Sequence, residues 1–140
     1  MRENTITINC LAFQLSLARK KVLKWYGQYL ESLGLNTSYV YVMEVIKEFG
    51  PSTLSLIAEK IELERATVSN LLGRMERDGF IIRLSGKERR SMEVQLTPRG
   101  KEVLSEALLG LQNADKQLDD LLGGNLGSIK NSVQIINKYL

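Results

Sequence analysis

Residues 64–97 read ERATVSNLLGRMERDGFIIRLSGKERRSMEVQLT. Val68, Leu71, Leu72 and Met75 recur at i, i+3, i+4 and i+7, the period of one buried helical face. Asp78-Gly79 ends that helix at a residue free to take positive φ. Residues 80–84 and 92–96 are predicted strands, with a Ser85-Gly86 turn in the loop between them. A new helix opens at Thr97-Pro98, with threonine as the cap and proline in the first helical position. The stretch is thus a short helix, a hairpin with a cationic tip, and the start of a further helix.

Working upstream, a helix over 54–61 turns Leu54, Ile57, Ala58 and Ile61 inward, capped by Ser52 or Thr53. The three residues Glu62-Leu63-Glu64 join it to the helix of the opening stretch. Two short helices joined by a tight turn form a helix-turn-helix unit, and the hairpin beside it forms a wing. Residues 37–49 form the preceding helix, with Val42, Val45, Ile46 and Phe49 on its buried face and Gly50-Pro51 as its stop.

The two ends of the chain differ from this middle. A first helix over 11–33 carries Leu15, Ala18, Val22, Trp25 and Tyr29 at spacings of 3 and 4, and Gly34 closes it. The helix from Thr97 carries Leu104, Ala107, Leu108, Leu111, Leu118, Leu121 and Leu122, interrupted by Asp115 and broken at Gly123-Gly124. A last helix from Asn125 repeats the pattern with Leu126, Ile129, Val133, Ile136 and Leu140. These narrow apolar seams need a partner, and a second copy of the chain is the simplest one. Packing within one chain is the alternative. The expected class is mainly α with a small β-hairpin (α+β), a winged helix-turn-helix with long N- and C-terminal dimerisation helices. One domain spans 1–140, its winged lobe covering 36–97 and its dimerisation helices covering 5–34 and 98–140.

Composition narrows the function. The 140 residues are 44 % hydrophobic and 25 % charged, ordinary for a soluble globular chain. Histidine is absent and cysteine occurs once. That excludes imidazole ligands, Ser-His and Cys-His pairs and any internal disulfide or CxxC site. We find no glycine-rich phosphate loop, metal spacing or acid-base pair on adjoining elements, so no cofactor, metal or enzymatic role is expected. No signal peptide or membrane-spanning run appears, which predicts a cytoplasmic protein. The net charge of +3 is small. Its positive part gathers at Arg83, Lys87, Arg89, Arg90, Arg99 and Lys101, while residues 102–120 are mostly acidic. Such clustering suits phosphate binding.

The candidate double-stranded DNA contacts follow. Arg65, Thr67, Ser69, Asn70 and Arg74 lie opposite the buried face of their helix, and these side chains bond to phosphates and base edges. Lys87, Glu88, Arg89 and Arg90 occupy the hairpin tip. Arginine suits the enhanced negative potential of a narrow minor groove, and Glu88 is placed to pair with Arg90.

In helix order, in the segment RATVSNLLGRMERDGFI and in the wing ERRSMEVQLTPRG, the chain resembles the MarR family of winged-helix transcription regulators. Glu88, Arg90, Leu96, Thr97 and Gly100 fill the family's wing pattern. The resemblance implies a homodimer on a pseudo-palindromic operator, with recognition helices in successive major grooves and Arg90 in a flanking minor groove. It implies repression relieved by a small molecule or oxidant. Relatives that bind phenolic carboxylates suggest a pocket for an aromatic or anionic effector near Arg19, Lys20, Trp25, Tyr26, Tyr29, Tyr39 and Tyr41; plain core packing of these aromatics is the alternative. Relatives that sense peroxide make Cys10 a candidate redox residue. Glu62 stands where the family often has glycine, which predicts local backbone strain. A winged helix that binds protein instead of DNA is the rival function.

Overall fold

The computed structural model describes residues 6–85 and 92–140. Its helices are α1 (Ile6–Asn9), α2 (Leu11–Leu30), α3 (Thr37–Phe49), α4 (Leu54–Ile61), α5 (Arg65–Arg77), α6 (Pro98–Leu121) and α7 (Leu126–Tyr139). Its strands are β1 (Ser52–Thr53), β2 (Ile81–Ser85) and β3 (Met92–Leu96). The fold is the expected one, helical with a small antiparallel sheet.

Local chemistry sets the helix boundaries. Asn36 accepts from the Tyr39 N–H at 2.9 Å and starts α3. Thr53, not Ser52, caps α4 by accepting from Leu56 N–H. Ser52 is instead buried, with its hydroxyl donating to Gly50 O at 2.7 Å. Thr97 caps α6 by accepting from Gly100 N–H at 2.9 Å. Four helix ends close alike, with an N–H donating five residues back: Leu35 to Leu30, Leu63 to Ala58, Phe80 to Met75, and Gly124 to Asp119. The left-handed residue before each donor is Gly34, Glu62, Gly79 and Gly123 respectively.

The sheet runs in the order β1-β3-β2. Ile81 pairs with Leu96 and Ser85 with Met92, while Ser52 and Thr53 pair with Val94 and Glu93. The two-residue β1 was not foreseen; it is too short to alternate. The first hairpin strand begins at Ile81, one residue later than expected, because Phe80 is committed to closing α5. The first helix ends at Leu30 and passes through a 3-10 turn, Glu31–Leu33, before Gly34.

The core is centred on the winged helix and takes in Leu30 of α2 and Leu104 and Ala107 of α6. Val40, Val42, Met43, Ile57, Val68, Leu72, Met75, Phe80, Ile81, Val94 and Leu104 are almost wholly shielded. Phe49 is an exception to the sequence reading: it is exposed at the end of α3, with the Lys60 ammonium 4.9 Å from its ring centre. Tyr39, Val40 and Met43 are buried on that helix instead. On α6, Leu104, Ala107, Ala114 and Leu118 are buried while Leu121 is exposed.

Outside the lobe, α2 is fixed to α6 by side chains. The Trp25 indole donates to Ala114 O at 3.0 Å, and the Tyr29 hydroxyl donates to Gln117 at 3.0 Å. Asp115, which breaks the α6 stripe in sequence, accepts from the Tyr26 hydroxyl and from Lys130 of α7. Burial pushes the Asp115 carboxyl up, but these two hydrogen bonds outweigh it and leave its pKa below the ordinary value. The stabilisation it gives therefore persists above the usual aspartate range and disappears as pH falls through the depressed value. Burial, then Asp115, holds the Tyr26 phenol well above its ordinary pKa.

One approach is closer than any side chain would allow. A Cβ on Gly100 would stand 2.1 Å from Phe80 O. The backbone there cannot yield, because Thr97 N–H donates to the same carbonyl at 3.0 Å. We expect Gly100→Ala to cost about 3 kcal/mol, the upper end for overpacking, read as a lower midpoint in urea denaturation.

Candidate nucleic-acid interface

The surface that matters is the outer face of α5. Burial of Val68, Leu71, Leu72 and Met75 fixes the helix's rotation. Arg65, Thr67, Ser69, Asn70 and Arg74 are consequently all exposed, on one contiguous side. Among the described residues, no ion pair ties Arg65 or Arg74 to a carboxylate. Arg83 is different. Its Nε lies 3.4 Å from Glu76, which links β2 to the side of α5. The wing residues Lys87, Glu88, Arg89 and Arg90 lie outside the described residues, but β2 and β3, which lead to them, are paired through Ser85–Met92.

Two features hold α5 against the rest of the lobe. At its end the Tyr39 hydroxyl donates to Asp78 at 3.2 Å, and the Tyr39 ring meets Phe80 edge-on at 6.1 Å. Burial, then the Asp78 carboxylate, raises the Tyr39 pKa, so the phenol stays protonated as a donor. The Arg99 guanidinium lies over the other aromatic, 5.1 Å from the Phe80 ring centre. At its start Glu64 occupies the cap position with no side-chain hydrogen bond. The turn before it passes through Glu62 at φ 54° and ψ 46°.

The residues considered for an effector separate into groups. Trp25, Tyr26 and Tyr29 share the α2–α6 seam, with the Trp25 and Tyr29 rings 5.7 Å apart. Tyr41 is exposed on α3, near enough to Tyr26 to add to its raised pKa. Tyr39 sits in the lobe core, and Arg19 and Lys20 are exposed on α2. Cys10 is exposed, directly before α2. A cavity of about 420 Å³ lies elsewhere, between the end of α3, β3 and the start of α6. Ile46, Pro51, Leu96 and Leu104 give it apolar walls, and Lys47 and Lys101 bring positive charge. Sequence reasoning passed over it because its lining comes from three separate elements. Among the described residues, no cluster of acidic or cysteine side chains is arranged to hold a metal ion. Among the described residues, no helix is long and apolar enough to cross a membrane.

A helix-turn-helix with its second helix uncovered, beside an antiparallel hairpin, defines the winged-helix fold, an architecture used by DNA-binding proteins. Comparison with known proteins gives the likeness. Residues 33–91 match the profile described as "MarR family". The regulator SarZ of Staphylococcus epidermidis is 26 % identical over 102 residues, covering 72 % of this chain and 69 % of SarZ. The DNA complex of the Mycobacterium tuberculosis regulator MosR superposes with a TM-score of 0.79 at 22 % identity, over 92 % of this chain and 94 % of that one. The repressor CouR bound to a 23-mer duplex gives 0.87 at 20 % identity, over 98 % and 99 %. Over residues 33–91 the chain is thus similar to the MarR family of transcriptional regulators, and over nearly its whole length it shares the fold of these solved structures.

The left-handed Glu62 is the one non-glycine residue with positive φ among the described residues. A side chain there costs roughly 1–2 kcal/mol of backbone energy, partly offset by the greater freedom glycine has when unfolded. Glu62→Gly is expected to stabilise the fold by roughly 0.5–1 kcal/mol, read from the urea midpoint, with no loss of helical signal.

Proposed function

We propose that this regulator is a homodimeric repressor that holds a pseudo-palindromic operator and releases it when a small anionic effector binds. The observation that carries the reading is the exposed polar face of α5, set by a fully packed opposite face. Arg65, Thr67, Ser69, Asn70 and Arg74 position and read the major groove. Lys87, Arg89 and Arg90 engage the backbone and minor groove, and Glu88 orients Arg90.

Uncovered apolar surface supports the dimer. No residue of α7 is buried, although Ile129, Val133 and Ile135 lie along it. Leu11, Phe13, Leu15 and Leu17 of α2 are exposed as well. So much apolar surface is unusual for a monomer. With α2, α6 and α7 joining two copies, the recognition helices fall about 34 Å apart, one turn of the duplex. The domain division is then a winged lobe over 36–97 flanked by pairing helices over 5–34 and 98–140.

For the effector, the cavity between α3, β3 and α6 suits a small anion with an apolar body better than the aromatic seam does. Trp25, Tyr26 and Tyr29 already spend their polar groups on α6. Lys47 and Lys101 stand at the cavity with apolar walls beside them. CouR has also been solved with p-coumaroyl-CoA, which shows one protein of this fold accepting both an anionic aromatic conjugate and DNA.

The test begins with duplexes selected by the protein from random-sequence DNA. Affinity should fall with salt, with a log–log slope near −0.9 for each phosphate neutralised. Arg90→Ala should weaken every duplex alike, whereas Asn70→Ala should also relax sequence preference. A flat salt response, or a monomer in sedimentation analysis, contradicts the reading. In a second measurement, aromatic carboxylates added to the complex should release the duplex. Lys47→Ala/Lys101→Ala should raise the concentration required about tenfold, the scale of one lost charge-assisted contact. Release at unchanged concentration places the effector elsewhere.

A further inference from the structure

Gly73 sits in the interior of α5, where glycine is among the least favourable residues. Other glycines of the chain have internal reasons. Gly100 meets Phe80 O, Gly79 and Gly34 take positive φ, and Gly110 lies against Tyr29 O. Gly73 has none of these. A Cβ there would meet nothing within 4 Å, and its φ is not positive. Two further helical glycines, Gly27 of α2 and Gly127 of α7, are equally open. Both lie on the helices whose apolar surface is uncovered. At such positions nothing within the described residues calls for glycine.

The direction Gly73 faces offers a reason. Ala66, Asn70, Gly73 and Arg77 follow one another at i, i+4, i+7 and i+11, a line opposite the buried Val68, Leu71, Leu72 and Met75. All four are exposed. Along the axis, Gly73 lies about 12 Å from the start of α5 at Arg65. The major groove is about 12 Å wide. A helix that crossed the groove from its first turn would bring this residue to the opposite sugar–phosphate wall.

We propose that Gly73 is the close-approach point of the recognition helix, where the missing side chain lets the DNA backbone pass against α5. The proposal rests on the reading of α5 as the groove-entering helix and adds a positioning residue to it. Gly73 makes no base contact. It sets the depth at which Asn70 and Ser69 can bond, and Arg74 and Arg77 beside it engage the same wall.

The experiment compares wild-type protein with Gly73→Ala and Gly73→Leu, using a duplex that wild-type protein selects from random-sequence DNA. Both replacements are good helix formers. Each variant should keep its circular dichroism spectrum and gain about 3 °C in Tm. Affinity should fall about tenfold for Gly73→Ala, the scale of one spoiled contact at such an interface, and further for Gly73→Leu. Equal affinity in all three proteins overturns the proposal while leaving the DNA-binding reading intact. A lower Tm in both variants also overturns it, because the glycine would then serve the chain's own packing. If the wild type selects no duplex, the reading of α5 itself fails and the proposal falls with it.

Discussion

The contact between the Gly100 backbone and Phe80 O is the constraint on which the lobe is built. Three elements end or begin within it. Phe80 N–H closes α5 on Met75, Phe80 O receives the Thr97 N–H, and the Thr97 hydroxyl donates to Gly79 O at 2.7 Å while it accepts from Gly100 N–H. Helix α5, the hairpin strands and α6 are thus tied through a few backbone atoms. Side chains reinforce the knot, with Phe80 held between Tyr39 on one side and Arg99 on another. A methyl group at position 100 has no room because every neighbour is itself fixed by a hydrogen bond.

That knot explains how a small sheet supports the candidate DNA-binding surface. β3 is the central strand, paired on one side with β2 and on the other with the two residues of β1. β1 in turn runs directly into α4, whose cap is Thr53. The turn through Glu62 then delivers α5. The wing and the helix-turn-helix therefore share one hydrogen-bonded frame, and their relative placement does not depend on side-chain packing alone. Glu62, held left-handed, is where this frame tolerates strain.

Much of this was legible in the residues. The periods of Val68, Leu71, Leu72 and Met75, the glycine stops at 34, 50 and 79, and the Thr97-Pro98 start mark elements through local chemistry alone. What escaped depends on distant partners. β1 exists because Val94 and Glu93 lie opposite Ser52 and Thr53. Phe49 falls on the apolar stripe of α3 but lies beyond the reach of the core, so it faces outward. Asp115 looks like a flaw in the α6 stripe until Tyr26 and Lys130 are brought to it from helices on either side in sequence. Of the candidate site, the exposed side of α5 was readable from its buried side. The cavity between α3, β3 and α6 was not, since no one segment contributes most of its wall.

The bare flank of α7 has a consequence for how the proposed regulator behaves at low abundance. Inside one chain this helix is held by the Lys130 link to Asp115 and by the turn in which Asp119 receives the Leu126 N–H. On the homodimer reading, its burial arises only when two protomers meet, so mass action governs it. A cell with very few copies would then hold mostly unpaired chains, each carrying one claw for a two-handed grip. Occupancy of the operator would rise with roughly the square of copy number, a threshold set by a helix that lies outside the candidate DNA-binding face.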